Sequence, residues 1–140
     1  MTLPTAPEGV LRAMMLACLK DNRALMALIN AVHDGAPGQA SLPYAMIGES
    51  RSSDWSTKSH EGREVKVALH FHGRSAADSI RMTAAMRAAE LALAAMSGVV
   101  EGWQIVSVRT GGARVGGSAK VMKEGWFGMM DVRVRMMAAS

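Results

Sequence analysis

Cysteine, aromatic residues and long apolar runs are all scarce in this sequence of 140 residues. The one cysteine, Cys18, cannot form a disulfide within the chain, and it lies among apolar residues in a predicted helix, so we expect a buried small hydrophobe. No segment reaches the roughly 18 apolar residues of a membrane span, and the N-terminus lacks the basic and apolar regions of a signal peptide. We therefore expect a soluble protein that is made in the cytoplasm and binds no membrane.

The sequence also shows no recognisable catalytic pattern. Enzymes need a nucleophile beside its base, paired carboxylates in a pocket, or a cluster of metal ligands. His70 and His72 lie on one face of a predicted strand, but two imidazoles rarely specify a metal, even with His60 or Glu64 as a third ligand. We therefore predict that the chain is not an enzyme and holds neither a metal nor a cofactor.

The glycine spacing in residues 112–117 matches only part of a phosphate-binding loop. Such a loop continues with Lys and then Ser or Thr, whereas Ser118 and Ala119 follow here. Without the lysine the contact to the terminal phosphates is lost. We therefore interpret this stretch as the tip of a hairpin.

The net charge of +4 is concentrated at one end of the chain. Residues 1–108 contain ten Lys or Arg and ten Asp or Glu, so the whole excess lies beyond them. A basic terminal region favours binding to nucleic acid or to an acidic protein surface, and composition does not choose between these partners. The cations beyond residue 108 are Arg109, Arg114, Lys120, Lys123, Arg133 and Arg135.

Apolar residues recur with helical spacing in three segments and with strand character in four. The resulting order, ααββαββ, predicts one α+β domain over residues 1–140, with a mostly antiparallel four-stranded sheet and helices packed on one face. Capping boxes at Thr5 and Ser75 favour helices that begin there. The predicted helices cover about 5–20, 21–32 and 75–96, and the predicted strands about 44–49, 63–74, 103–109 and 126–136.

The polar segment 50–62 connects the first two predicted strands and carries a tryptophan, Trp55. The segment is too polar to fill the core of its own domain, yet a tryptophan in water would expose a large apolar surface. We therefore expect an arm that contacts a neighbouring subunit through Trp55, with Asp54 and Lys58 as polar partners. The alternative is that Trp55 folds back onto its own sheet.

Short motifs along nearly the whole chain carry a resemblance to a known family. They are Val32-His33-Asp34-Gly35-Ala36-Pro37, Leu42-Pro43-Tyr44, Ile47-Gly48-Glu49, the run from Asp54 to Gly62, Val106-Ser107-Val108 and Trp126-Phe127-Gly128. In this order, with the long helix from Ser75 between them, they resemble the tail terminator (tail-completion) proteins of long-tailed phages and gene transfer agents. The chain departs from that pattern at His33, where tyrosine is more usual, and in the glycine-rich stretch 111–117.

The resemblance implies a structural protein of a virion or phage-like particle, located at the neck end of the tail. Such a protein forms a ring, six-fold in the family, on the last ring of the tail tube protein. It stops tube growth and offers a surface to the head-side connector, or stopper. DNA passes through the bore without specific binding, because a strongly basic lining would hold the phosphates.

Contacts with these partners are expected at residues of the polar arm and of the basic C-terminal third. Two other functions stay open: another tail or connector subunit, and a small basic module that binds nucleic acid through interleaved aromatic and basic side chains. The predicted interface residues are Asp54, Trp55, Lys58, His60, Arg114, Lys120 and Lys123.

Overall fold

A computed structural model describes residues 4–116 and 125–139. These residues form a mixed α+β domain with three α-helices and six strands. The helices are α1 (Pro7–Lys20), α2 (Arg23–Met26) and α3 (Ser79–Ala94), and a 3₁₀ turn, Ala76–Asp78, precedes α3. The strands are β1 (Ala31–Asp34), β2 (Tyr44–Asp54), β3 (Gly62–Gly73), β4 (Val99–Val100), β5 (Trp103–Val115) and β6 (Trp126–Ala138).

All six strands belong to one sheet in the order β1-β2-β3-β6-β5-β4. β1 and β2 are parallel, and every other neighbouring pair is antiparallel. The α+β class is therefore confirmed, but the predicted four-stranded sheet and the order ααββαββ are wrong in detail. The prediction missed β1 and β4, the two short strands at the edges of the sheet.

The helical spacing of apolar residues concealed β1. Leu25, Ile29 and Val32 continue one helical face, and we expected the second helix to extend through them. In the structure α2 ends at Met26, and Val32 instead reaches the core from β1. All three side chains are buried in the structure, as they would be on the inner face of a longer helix. The spacing of apolar residues alone therefore could not locate the end of the helix.

Helix α1 is fixed to the parallel edge of the sheet by one arginine. The guanidinium of Arg12 donates to the carboxylate of Asp34, with Nη2 2.5 Å from Oδ1, and to the carbonyl oxygens of Ile47 and Gly48. The predicted capping box at Thr5 is absent, because Ala6 is the N-cap residue and supplies no side-chain bond. Tertiary contacts therefore stabilise the start of α1 in place of a cap.

The predicted apolar stripe of α3 faces the sheet. Met82, Met86, Ala89 and Leu93 are buried and join the same core as the inward side chains of the strands. Ser75 caps the preceding 3₁₀ turn, since its hydroxyl accepts from the backbone N–H of Ala77. No described helix is long and apolar enough to span a bilayer.

The central strands β3 and β6 alternate between two faces, as their sequences predict. The inward residues of β6 are buried, and those of β3 are buried beside them. The intervening residues form the opposite surface, which we call the helix-free face. The inward residues are Val65, Val67, Leu69 and Phe71 of β3 with Trp126, Met130, Val132, Val134 and Met136 of β6.

Two strands extend well past their predicted ends. β2 continues to Asp54 and pairs with β3 through the register Asp54↔Arg63, so nearly half of the polar segment 50–62 is strand and residues 55–61 connect the two strands. β5 continues to Val115, paired with Gly128. Serine and glycine hid these extensions, because both residue types are typical of turns.

Candidate assembly interface

The β2–β3 hairpin holds four of the predicted interface residues. Asp54 ends β2, while Trp55, Lys58 and His60 lie in the connection. Two backbone bonds close this connection: the N–H of Trp55 donates to the carbonyl of Gly62, and that of Thr57 donates to the carbonyl of His60. The connection is therefore a hydrogen-bonded turn, and the N–H of Ala138 at the end of β6 also donates to its Glu61 carbonyl.

Polar groups at this tip are satisfied locally. The carboxylate of Asp54 accepts from the Ser56 hydroxyl, and this bond chiefly keeps the pKa of Asp54 below its usual value. The N–H of His60 donates to the hydroxyl of Thr57. Lys58 forms no ion pair within residues 4–116 and 125–139, so its ammonium is free for an external partner.

Trp55 is half-buried on its own sheet. The guanidinium carbon of Arg135 lies 5.1 Å from the centre of the indole ring, and Gly62 leaves room for the ring, because a Cβ there would lie 3.1 Å from Cε3 of Trp55. Arg135 is itself held by Glu64, with 2.9 Å between Nε and Oε2. The ring therefore has a partial cover within the subunit, and the remainder is available to a neighbour.

Arg114 is distant from this hairpin tip. It pairs in register with Met129, which is opposite His70, and His70 is eight residues from Gly62 along β3. At about 3.3 Å per residue the separation is roughly 26 Å. The structure therefore does not unite Arg114 with the hairpin residues. Lys120 and Lys123 lie outside the described residues.

A row of four cations crosses the helix-free face. The register places Arg51 opposite Lys66, Lys66 opposite Arg133, and Arg133 opposite Arg109, so four adjacent strands each contribute one charge. Like charges directly opposite one another on a sheet destabilise it. The row therefore costs stability unless an anionic partner covers it.

The cation row forms the floor of a groove of about 660 Å³. Glu49 and Asp131 also line this groove, so its four cations are opposed by two carboxylates. In the next row of side chains Glu64 pairs with Arg135, and the pKa of Glu64 is lowered chiefly by that hydrogen bond. The groove keeps a positive surplus but a mixed lining, which suits a protein surface of mixed charge better than a phosphate chain.

Aromatic and histidine side chains cluster beyond the groove on the same face. Tyr44 stacks on His72 with 4.9 Å between ring centres, and Phe127 meets the edges of both His70 and His72. His33 and Tyr44 form a T-shaped pair with 5.6 Å between ring centres. Burial, and secondarily the charge of His70, lowers the pKa of His72, so the neutral imidazole is favoured.

The histidine pair lacks a third ligand among the residues that the structure describes. The ring centres of His70 and His72 are 6.4 Å apart, and no group of three His, Cys, Asp or Glu side chains converges within 4–116 and 125–139. The absence of a bound metal stays a prediction. Retention of stoichiometric zinc after dialysis, and its loss in His70→Ala, would contradict it.

Sequence reasoning missed the cation row. Lys66 and Arg133 were visible as outward residues of two predicted strands, but Arg51 was assigned to a loop and Arg109 to a strand end. Their alignment depends on the register of three strand pairs, which a single sequence does not reveal. The only available signal was the outward placement of one cation on each central strand.

Comparison with known proteins places this arrangement in a family. The family model described as "Tail completion protein gp17" matches residues 13–136, which include every helix and strand of the domain at least in part. No curated protein sequence matches the chain.

A solved structure has the same fold over almost the whole length. It is described as "Virion of native gene transfer agent (GTA) particle", and the matched chain is 22% identical with a TM-score of 0.78. The match covers 98% of this chain and 100% of that one. At this identity the likeness concerns the fold.

Proposed function

Because the chain belongs to the tail completion protein gp17 family, we propose that it is a tail terminator, a structural protein that forms a ring at the end of the tail tube. As a family member it is a virion-associated tail protein. Its proposed partners are further copies of itself, the tail tube protein and the head-side connector. The match over residues 13–136 is the observation that carries this proposal.

The surface of the domain supports repeated protein contacts. The β2–β3 hairpin presents Trp55, with part of its ring uncovered, and Lys58, which forms no ion pair among the described residues. The cation row leaves a net positive charge across four strands, because Glu49 and Asp131 offset only part of it. A surface with both features gains stability when a neighbour covers it, and head-to-tail contacts of this kind close into a ring when the rotation permits. A six-fold ring is the proposed closure.

A catalytic role is not proposed. The groove on the helix-free face contains Arg, Lys and carboxylate side chains but no Ser, Cys or His beside a base. DNA is proposed to pass through the ring without specific binding, since a basic lining would retard its phosphates.

The first experiment measures the mass of the purified protein in solution, alone and with the tail tube protein. We expect a closed oligomer in at least one condition, six-fold by the family resemblance. A protein that stays monomeric in both conditions would contradict the proposal. Substitution of Trp55 by alanine then tests the hairpin contact. A lower melting temperature with intact assembly would assign Trp55 to its own sheet alone. A folded subunit that fails to assemble, even with a modestly lower melting temperature, would assign it to the interface.

One observation favours a second candidate function, nucleic-acid binding. Tyr44 and Phe127 share the helix-free face with the cation row, and single-stranded nucleic acid binds surfaces that combine aromatic stacking with positive charge. Binding by the monomer would then weaken steeply with salt. Four released counterions give a slope of about −2.8 in a plot of log K against log salt for single strands. A tail terminator of the proposed kind shows no such affinity.

A further inference from the structure

Both edges of the sheet are incomplete. On one side, β1 pairs with only four residues of β2, Tyr44–Ile47. Arg12 covers the carbonyl of Gly48. From Glu49 to Asp54 the outer edge of β2 has no backbone partner among residues 4–116 and 125–139.

The opposite edge is open over a longer distance. β4 pairs with only Trp103 and Gln104, and the N–H of Ile105 donates to Gly98. From Val106 to Val115 the outer edge of β5 has no backbone partner within the described part of the chain. Val106 and Val115 are also 47% and 49% exposed. Natural proteins rarely leave a strand edge of this length uncovered, because it is a template for another strand.

The two open edges are compatible with each other in direction. Each neighbouring pair from β2 to β5 is antiparallel, and the order β2-β3-β6-β5 contains four strands. β2 and β5 therefore run in opposite directions, so β5 of one copy can pair with β2 of the next in the antiparallel manner. The open segment of β2 has six residues and that of β5 has ten, so several registers of pairing are possible. Such a contact is head-to-tail, the type that generates rings.

Charges on the helix-free face select a register. Glu49 and Arg51 project there from the β2 edge, and Arg109 projects there from the β5 edge, since all three line the groove. A register that places Arg51 beside Arg109 would add a fifth charge to the cation row. A shift of two residues places Glu49 opposite Arg109 and Arg51 opposite Ser107, which replaces a repulsion with an attraction. Residues 49–52 then pair with residues 106–109, and the pairing ends where β4 begins to cover β5.

We propose that the subunits join by strand pairing, with the β5 edge of one copy bound antiparallel to the β2 edge of the next, and with Glu49 opposite Arg109. The inference rests on the proposed ring function and specifies how the ring is held. Each such contact also brings a carboxylate to the end of the cation row. The occupant of either edge is therefore a second copy of this chain.

Disulfide crosslinking tests the register directly. Directly opposed residues in an antiparallel pair have Cα atoms about 4.5–5.5 Å apart, within disulfide range. In a Cys18→Ala background, Glu49→Cys combined with Arg109→Cys should give, on oxidation, a ladder of covalent oligomers up to the ring. An equal mixture of the two single variants should give dimers, and each single variant alone should not. Arg51→Cys with Arg109→Cys, the shifted register, should crosslink about tenfold less, because diagonal residues lie at the limit of disulfide reach.

A charge exchange supplies a second readout that does not depend on cysteine. Glu49→Arg and Arg109→Glu should each weaken ring association by about tenfold or more, because each turns an attractive cross-strand pair into a repulsive one. The double exchange should restore it. Both side chains are exposed, so the folds of the single variants should be unaffected.

The outcomes separate this inference from the proposed function. Rings seen without a 49–109 crosslink, and without rescue by the double exchange, would overturn strand pairing while the terminator function stands. Crosslinks between residues 49 and 109 without dependence on the charges would support the register and overturn the attraction between Glu49 and Arg109 as its cause. A protein that never forms an oligomer would overturn both proposals. Rings that crosslink and respond to the exchange would support both.

Discussion

Removal of one charge from the cation row should stabilise the isolated subunit. Arg133 occupies an inner position, directly opposite both Lys66 and Arg109, so it takes part in two of the three like-charge contacts of the row. Arg133→Gln removes both contacts and keeps most of the aliphatic stem. We therefore expect the variant to unfold at a higher temperature than the natural protein.

The size of the gain follows from the strand spacing. Two unit charges about 5.5 Å apart repel by about 0.75 kcal/mol in a medium like water, so two contacts cost about 1.5 kcal/mol at low salt. The variant also loses the attraction to Asp131, two residues away on the same face and about 6.7 Å distant, which is worth about 0.6 kcal/mol. It loses an attraction to Glu64 on the neighbouring strand as well, but it is relieved of a repulsion of about the same size from Arg135, two residues away on the other side. The net gain is about 1 kcal/mol, or a rise of roughly 2–5 °C in melting temperature for a domain of this size.

Calorimetry or circular dichroism at low protein concentration measures this gain in the monomer. The control is Arg87→Gln on α3, whose guanidinium pairs with Glu90 and has no cation opposite it. That variant should be unchanged or slightly less stable. In 1 M salt the screening length falls to about 3 Å, and the gain for Arg133→Gln should disappear. A melting temperature at or below that of the natural protein in low salt would refute the repulsion argument.

Three further perturbations test local features of the fold. Gly62→Ala should lower the free energy of unfolding by roughly 1–3 kcal/mol, because its Cβ would lie 2.4 Å from the carbonyl oxygen of Trp55. The control, Gly111→Ala, meets nothing within 4 Å and should be nearly neutral in the same chemical unfolding experiment. Equal effects would contradict the close approach of Gly62 to Trp55. Trp55→Ala should lose about 1 kcal/mol of cation–π energy with the guanidinium above it and lower the melting temperature modestly, and no change would show that the ring is not held there. Because the pKa of His72 is lowered in the folded state, its contribution to stability is complete above the usual histidine pKa near 6.5 and is lost as the pH falls below that value. His72→Phe should remove that part of the pH dependence of stability. If stability varies with pH as in the natural protein, His72 is not its source.

The central part of the fold could be predicted from the sequence. The alternating apolar residues of β3 and β6 are buried in the structure, and so is the apolar stripe of α3. These patterns are visible in the sequence because each element packs one side against a shared core. Edge elements could not be predicted. β1 has four residues, and its buried Val32 continues the helical spacing of the residues before it. β4 has only two residues, which is too few to show an alternating pattern.

The candidate site was only partly accessible to sequence reasoning. Asp54, Trp55 and Lys58 do share one hairpin, as their closeness in sequence suggests. Arg114 does not join them. The start of β5 and the end of β6 lie near the hairpin, whereas Arg114 is near the opposite end of β5. The cation row depends on register across three strand pairs, and the open edges depend on how short β1 and β4 are. Both features belong to the tertiary structure and cannot be seen in a single sequence.

Tail-tube capping is the most direct test of the central claim. Tube protein should be allowed to polymerise with increasing amounts of this protein, and the products should be measured by electron microscopy for length and for density at their ends. We expect shorter tubes, each with a closed ring at one end, and we expect a variant that carries Glu49→Arg alone to need about tenfold more protein or more for the same shortening. Tubes of unchanged length without terminal rings, at a molar excess of the natural protein, would contradict it.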